Sequence, residues 1–132
     1  MNRVLLLFAA VSISISGTVY SADKDRCPCG PDGLTGPLRN LIPQGVGNAD
    51  WRPYCRAHDA CYGIPGVDKA SCDRNFYNQM KSSCGCSGKP ILCRITAHLM
   101  YVSTKRFGTK AFNKSQRLAY ATNSFANQNI SP

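Results

Sequence analysis

Eight cysteines in a chain of 132 residues constrain the fold more than any other feature. An even number in a small chain reads as a disulfide framework wherever the compartment is oxidising, and such a framework can replace part of a hydrophobic core. The N-terminus speaks to the compartment. Met1-Asn2-Arg3 is a short basic start, and Val4 to Ile15 is apolar apart from Ser12 and Ser14. Val19-Tyr20-Ser21 then offers permissive residues at the −3 and −1 positions of a cleavage site. This is the grammar of a signal peptide, and the run is shorter than the roughly 20 residues of a membrane span. The expectation is a signal peptide over 1–21, cleavage after Ser21, and an exported single domain over 22–132, extracellular or periplasmic.

The charge balance is lopsided. There are 16 Lys+Arg against 7 acids, all of them Asp, for a net charge of +9. Every acid lies at or before Asp73, whereas residues 74–132 carry nine Lys/Arg. Such a surface favours an anionic partner: a nucleic acid, an acidic polymer or a membrane. No motif pairs aromatic with basic side chains for base stacking, and export argues against nucleic acid. With 43% hydrophobic residues the chain is not a disordered polyelectrolyte.

Helical periodicity dominates, so the fold class expected is mainly α with little or no β. Residues 22–50 are rich in Gly and Pro and read as loop, with one short helix over 37–42. A helix is expected over 51–62, with Asp50 as cap and an inward stripe of Trp51, Tyr54, Cys55, His58, Cys61 and Tyr62. Gly63 and Pro65-Gly66 end it. A second helix follows over about 69–82, capped by Asp68, with Cys72, Asp73, Phe76 and Met80 inward and Tyr77 beside them. The Gly/Pro loop from Cys84 to Pro90 leads to a third helix over about 91–107, expected to bury Ile91, Ile95, Leu99, Val102 and Phe107. A short last helix over 111–122 and a fraying tail over 123–132 complete the expectation.

Two polar residues stand on inward stripes, His58 on one helix and Asp73 on the next. The link between these helices is short enough to make them antiparallel neighbours. A buried carboxylate needs a partner, and an imidazole held by a carboxylate is an arrangement for a general base. For an arbitrary His and Asp a structural hydrogen bond is the commoner outcome. Asp59 is turned about 100° from His58 and faces another neighbour, plausibly the Gly-rich segment 28–36. One carboxylate with loop carbonyls is a hard oxygen set of the kind Ca²⁺ takes, although a solvated Asp fits the sequence as well. Zinc fits less well: the Cys-x-Cys pairs 27/29 and 84/86 lack the usual spacing, and His98 has no acidic neighbour.

The string Cys55-Arg56-Ala57-His58-Asp59-Ala60-Cys61-Tyr62 resembles the active-site helix of secreted phospholipases A2, C-x-x-H-D-x-C-Y. Pro28-Cys29-Gly30-Pro31-Asp32-Gly33 is similar to that family's calcium loop, and Cys72-Asp73-Arg74 to the C-D-R stretch on the facing helix. The resemblance covers about 27–84. It implies a disulfide-stapled fold in which two antiparallel active-site helices follow the calcium loop. It further implies that His58 is the general base, that Asp73 orients it and that Tyr62 supports Asp73. Ca²⁺ would be held by the Asp59 carboxylate and by carbonyls of Pro28, Gly30 and Asp32. The reaction implied is hydrolysis of the sn-2 ester of a glycerophospholipid to a lysophospholipid and a fatty acid, at a phospholipid surface that the charge suggests is anionic, with no protein partner. The alternative is a silent, cationic, membrane-binding or toxin-like homologue; such forms lose the Asp after the His, and Asp59 is present.

The resemblance also implies the disulfides Cys29–Cys55 and Cys61–Cys72. The other four cysteines allow three pairings, of which Cys84–Cys93 with Cys27–Cys86 is expected, because Cys84 and Cys93 flank a Gly/Pro loop between helices. Departures from the family pattern are Tyr54 where a second Cys is usual, Pro28 and Asp32 in the loop, a short connection between the active-site helices, and a long stretch between loop and helix.

Overall fold

The computed structural model describes residues 29–31 and 36–128. The expected signal peptide, Pro28, Asp32 and Cys27 therefore lie outside the described residues. A 3-10 turn over Gly36–Leu41 opens the continuous part, followed by strands β1 (Gly45–Val46) and β2 (Ala49–Asp50), paired antiparallel. Four helices follow: α1 (Arg52–Tyr62), α2 (Lys69–Ser83), α3 (Pro90–Phe107) and α4 (Thr109–Gln128), with a 3-10 turn over Cys84–Cys86 between α2 and α3. The segment expected as a short α-helix over 37–42 is wound more tightly, and the small hairpin after it was not foreseen. Its turn depends on Gly47, at φ 59°, where a Cβ would strike the Ser87 carbonyl oxygen.

The boundaries of α1 and α2 follow local chemistry. Pro53 sits in the first turn of α1, where its missing N–H costs nothing, and the Asp50 carboxylate accepts the Arg52 amide at 3.0 Å. Asp68 caps α2 by accepting the Ser71 amide at 2.9 Å. The inward stripes bury Cys55, His58 and Tyr62 on α1, with Trp51 just before it, and Cys72, Asp73, Phe76 and Met80 on α2. Trp51 is wholly enclosed, and its indole N–H donates to Ser83 Oγ at 3.2 Å, which joins the start of α1 to the end of α2.

Three disulfides staple the fold: Cys29–Cys55, Cys61–Cys72 and Cys84–Cys93. Cys29, Cys55, Cys84 and Cys93 pack with Trp51, Phe76, Met80 and Ala97 in the core, whereas Cys61–Cys72 bridges α1 and α2 outside that cluster. Closing such loops removes about 2.5–3.5 kcal/mol each of unfolded-state entropy, which a core this small needs. Cys86 is exposed and bonded to no described cysteine; its expected partner, Cys27, is outside the described residues.

The C-terminal half departs from expectation in two ways. Of the side chains expected to be buried on α3, Ile91, Ile95, Leu99, Val102 and Phe107 are all exposed. The residues that turn inward are Cys93 and Ala97, with Met100 and Thr104 half-buried. The reason is geometric. α3 is bonded through Cys93 to the end of α2, and the small Ala97 and the disulfide let the two helices approach closely. That contact selects the face of small residues, and among the described residues no further layer covers the opposite face. The last helix is also longer than expected: α4 is helical to Gln128, through the region expected to fray from Asn123. Among the described residues, no helix is long and apolar enough to cross a membrane.

Candidate active site

His58 and Asp73 face each other across α1 and α2. His58 Nε2 lies 2.9 Å from Asp73 Oδ1, with both side chains buried. The Cys61–Cys72 bond clamps the helices one turn away. Tyr62 donates its hydroxyl to the same Asp73 oxygen at 2.6 Å. The second oxygen is taken by Lys69, whose ammonium donates to Asp73 Oδ2 at 2.7 Å and to the Thr104 carbonyl of α3 at 3.2 Å. Sequence reasoning missed Lys69. It stands four residues before Asp73 on the same helix, so the signal was present as a helical acid–base pair.

These donors set the charge state. Burial pushes the Asp73 carboxyl up, but hydrogen bonds from Lys69, Tyr62 and His58 outweigh it and hold the group below the usual carboxylate range. Burial and the neighbouring Asp73 carboxylate push the Tyr62 hydroxyl well above the ordinary phenol value, so it remains a donor. An ionised carboxylate can only accept, so Nε2 of neutral His58 carries its proton and Nδ1 is left as the basic nitrogen. The ring is fixed from both faces, stacked on Phe76 at 4.7 Å between centroids and tilted against Tyr62 at 4.2 Å.

His58 forms part of the wall of a cavity of about 730 Å³. Asp59, Gly30 and Pro31 line it from the loop side, and Ile42, Met100, Phe107 and Leu118 supply apolar wall. Its size and mixed lining suit an amphiphile with one reacting polar group. Leu41, Phe107 and Leu118 line the cavity and are also exposed, which marks them as its rim.

The loop side is held by residues that the sequence reading did not single out. Gln44 accepts the Cys29 amide at 3.1 Å and donates to the Cys29 carbonyl at 3.2 Å. Arg39 is buried and donates to the Pro31 carbonyl at 3.3 Å. Gly30 has φ 115°, and a Cβ there would run into Ile42. Together these bring the chain after Cys29 into the cavity that Asp59 lines. Gln116 ties α4 to the connection between α1 and α2, donating to the Tyr62 and Ile64 carbonyls and accepting the Gly66 amide. Neither Gln carries a pattern that sequence alone would flag.

Among the described residues no three His, Cys, Asp or Glu side chains cluster as metal ligands. The donors that do share the cavity, the Asp59 carboxylate and the loop backbone at Gly30, are oxygen donors on the loop side, which fits a hard cation held mainly by backbone carbonyls. Pro28 and Asp32, the other expected carbonyl donors, lie outside the described residues. His98 is exposed and edges onto Tyr77 at 5.9 Å, away from the dyad.

The chain is 29% identical over 99 residues to the group XIIA secretory phospholipase A2 of Mus musculus, and 28% identical over 99 residues to that of Homo sapiens. The match covers 70% of this chain in both cases, and 51% and 52% of the relatives. The chain thus spans about half the length of the curated relatives it matches. No family model matches it, and no solved structure does. The similarity and the disulfides of the fold support a secreted phospholipase A2-like family for this chain.

Proposed function

We propose that this protein is an exported, calcium-dependent phospholipase A2 that hydrolyses the sn-2 ester of glycerophospholipids in an anionic bilayer. The observation that carries the reading is the buried His58–Asp73 pair, with His58 on the wall of a cavity that Asp59 and Gly30 also line. In the proposed reaction His58 Nδ1 takes a proton from water, and the water oxygen adds to the ester carbonyl. Asp73 holds the ring and stabilises the imidazolium through the Nε2 proton. Collapse of the tetrahedral species breaks the bond to the glycerol oxygen. His58 returns its proton to that oxygen, releasing lysophospholipid and fatty acid. Ca²⁺, held by Asp59 with carbonyls of Pro28, Gly30 and Asp32, would supply positive charge to the developing oxyanion.

Tyr62 donates to the same Asp73 oxygen as His58 and Lys69 to the other, which holds the carboxylate against turning from His58. Phe76 and the apolar wall keep bulk water from the ring. The test is fatty-acid release from mixed phosphatidylcholine and phosphatidylglycerol vesicles with Ca²⁺ or with a chelator, for the parent protein and for Asp59→Asn. Loss of release in chelator and in the variant, with circular dichroism unchanged, supports the reading. Full release in excess chelator overturns the metal assignment, and vesicle binding without any release favours the silent homologue.

A further inference from the structure

The outer face of α3 carries a run of exposed apolar residues that the site does not use. Ile91 is 76% exposed, Leu92 52%, Ile95 54%, Leu99 59% and Val102 42%. At 100° per residue all five fall within about 60° of the direction opposite the fully buried Ala97. They make one stripe about 16 Å long from Ile91 to Val102. Isolated exposed apolar residues are ordinary, whereas a contiguous stripe marks a contact surface. None of the five lines the cavity; that is done by Met100, Ser103, Thr104 and Phe107 on the adjoining side of the same helix.

We infer that this stripe is where the protein seats on an anionic lipid bilayer, as a face separate from the cavity rim. Charge decides the occupant. Arg94 and Lys105 fall along one edge of the stripe, and Arg106 lies in line with it just beyond Val102. From Arg74 to Pro132 there is no acid. A second copy laid on the same stripe would bring these cations against their equivalents with no carboxylate to pair them. An anionic leaflet accepts the apolar residues among its acyl chains and the cations at its head groups, each cation adding attraction. Phe107, on the exposed rim, lies about 100° round α3 from the axis of the stripe and little more than a turn beyond Val102, so a bilayer lying on α3 lies beside the cavity entrance.

This inference rests on the reading that the substrate lies in a bilayer, and its test separates the two. Binding to vesicles of equal parts phosphatidylcholine and phosphatidylglycerol is measured by co-sedimentation in chelator, where the proposed hydrolysis is off. The variants are Ile95→Ser/Leu99→Ser, Lys105→Gln/Arg106→Gln, and Ile64→Ser as an exposed apolar residue off the stripe. The stripe double variant is expected to bind about tenfold more weakly or worse, from the lost apolar transfer. The cation double variant is expected to weaken binding at low salt and to converge on the parent as salt rises. Ile64→Ser is expected to bind like the parent. Circular dichroism and sedimentation velocity accompany each. Parental binding by a folded Ile95→Ser/Leu99→Ser protein overturns the inference. So does a dimeric parent that this substitution makes monomeric without changing vesicle binding. A protein that binds through the stripe yet hydrolyses nothing leaves the inference standing and sinks the proposed activity instead.

Discussion

Replacing Lys69 with Met tests whether Asp73 depends on a charged donor. The methionine keeps the length and apolar stem of the side chain but removes the ammonium that lies 2.7 Å from Asp73 Oδ2. Two donors remain on Asp73, from Tyr62 and His58. The Thr104 carbonyl keeps the Gly108 amide at 2.8 Å, so no second buried group is orphaned. The loss is therefore one charge-assisted hydrogen bond, worth about 1.5–3 kcal/mol. The Lys69 side chain retains 18% exposure, and some solvent screening places the expectation at about 2 kcal/mol. For a domain of this size that lowers Tm by about 10 °C.

The pH dependence has a fixed sign. The folded Asp73 carboxyl is held below its ordinary value, so its contribution is complete above the unfolded value of about 3.9 and is lost as pH falls through the folded one. The gap between the parent protein and Lys69→Met is expected to be constant from neutral pH down to about pH 5, and to close in stronger acid. Urea unfolding with the disulfides intact measures it, read as a shift in midpoint at unchanged slope. Lys69→Arg keeps the charge and should recover much of the loss. Equal stability of Lys69→Met and the parent at pH 7, or a gap that stays constant down to the lowest pH at which both fold, would refute the reasoning.

Two further substitutions divide the site into its parts. His58→Gln is expected to abolish turnover, by a thousandfold or more, while Ca²⁺ binding by calorimetry stays within a few-fold of the parent; a collapse of Ca²⁺ affinity as well would merge the roles given to His58 and Asp59. Gly30→Ala places a Cβ at φ 115° against Ile42, and is expected to cost about 1–3 kcal/mol and to lower activity more than stability, because the loop must leave its position. An alanine variant with parental stability and activity would show that the loop backbone at Gly30 is not held as described.

The dyad was legible in the sequence because it is a matter of register. His58 and Asp73 interrupt two apolar stripes at helical spacing, and a short link between two capped helices brings such interruptions face to face. The Cys61–Cys72 pairing was implied by the resemblance to secreted phospholipases A2, and the packing of α1 on α2 brings the two cysteines together. What sequence alone could not determine was which face of α3 turns inward. Periodicity marked the stripe of large residues, Ile91, Ile95, Leu99 and Val102, as the core side. The fold instead buries Cys93 and Ala97, because a disulfide and a close helix approach require small side chains there, and among the described residues no further layer covers the larger face. Periodicity reports that a helix has an apolar side; only the count and placement of neighbouring elements decides whether that side meets protein. The same holds for Gln44 and Gln116. Their hydrogen bonds reach 15 and 50 or more positions along the chain, and they exist only once the helices and the loop are assembled.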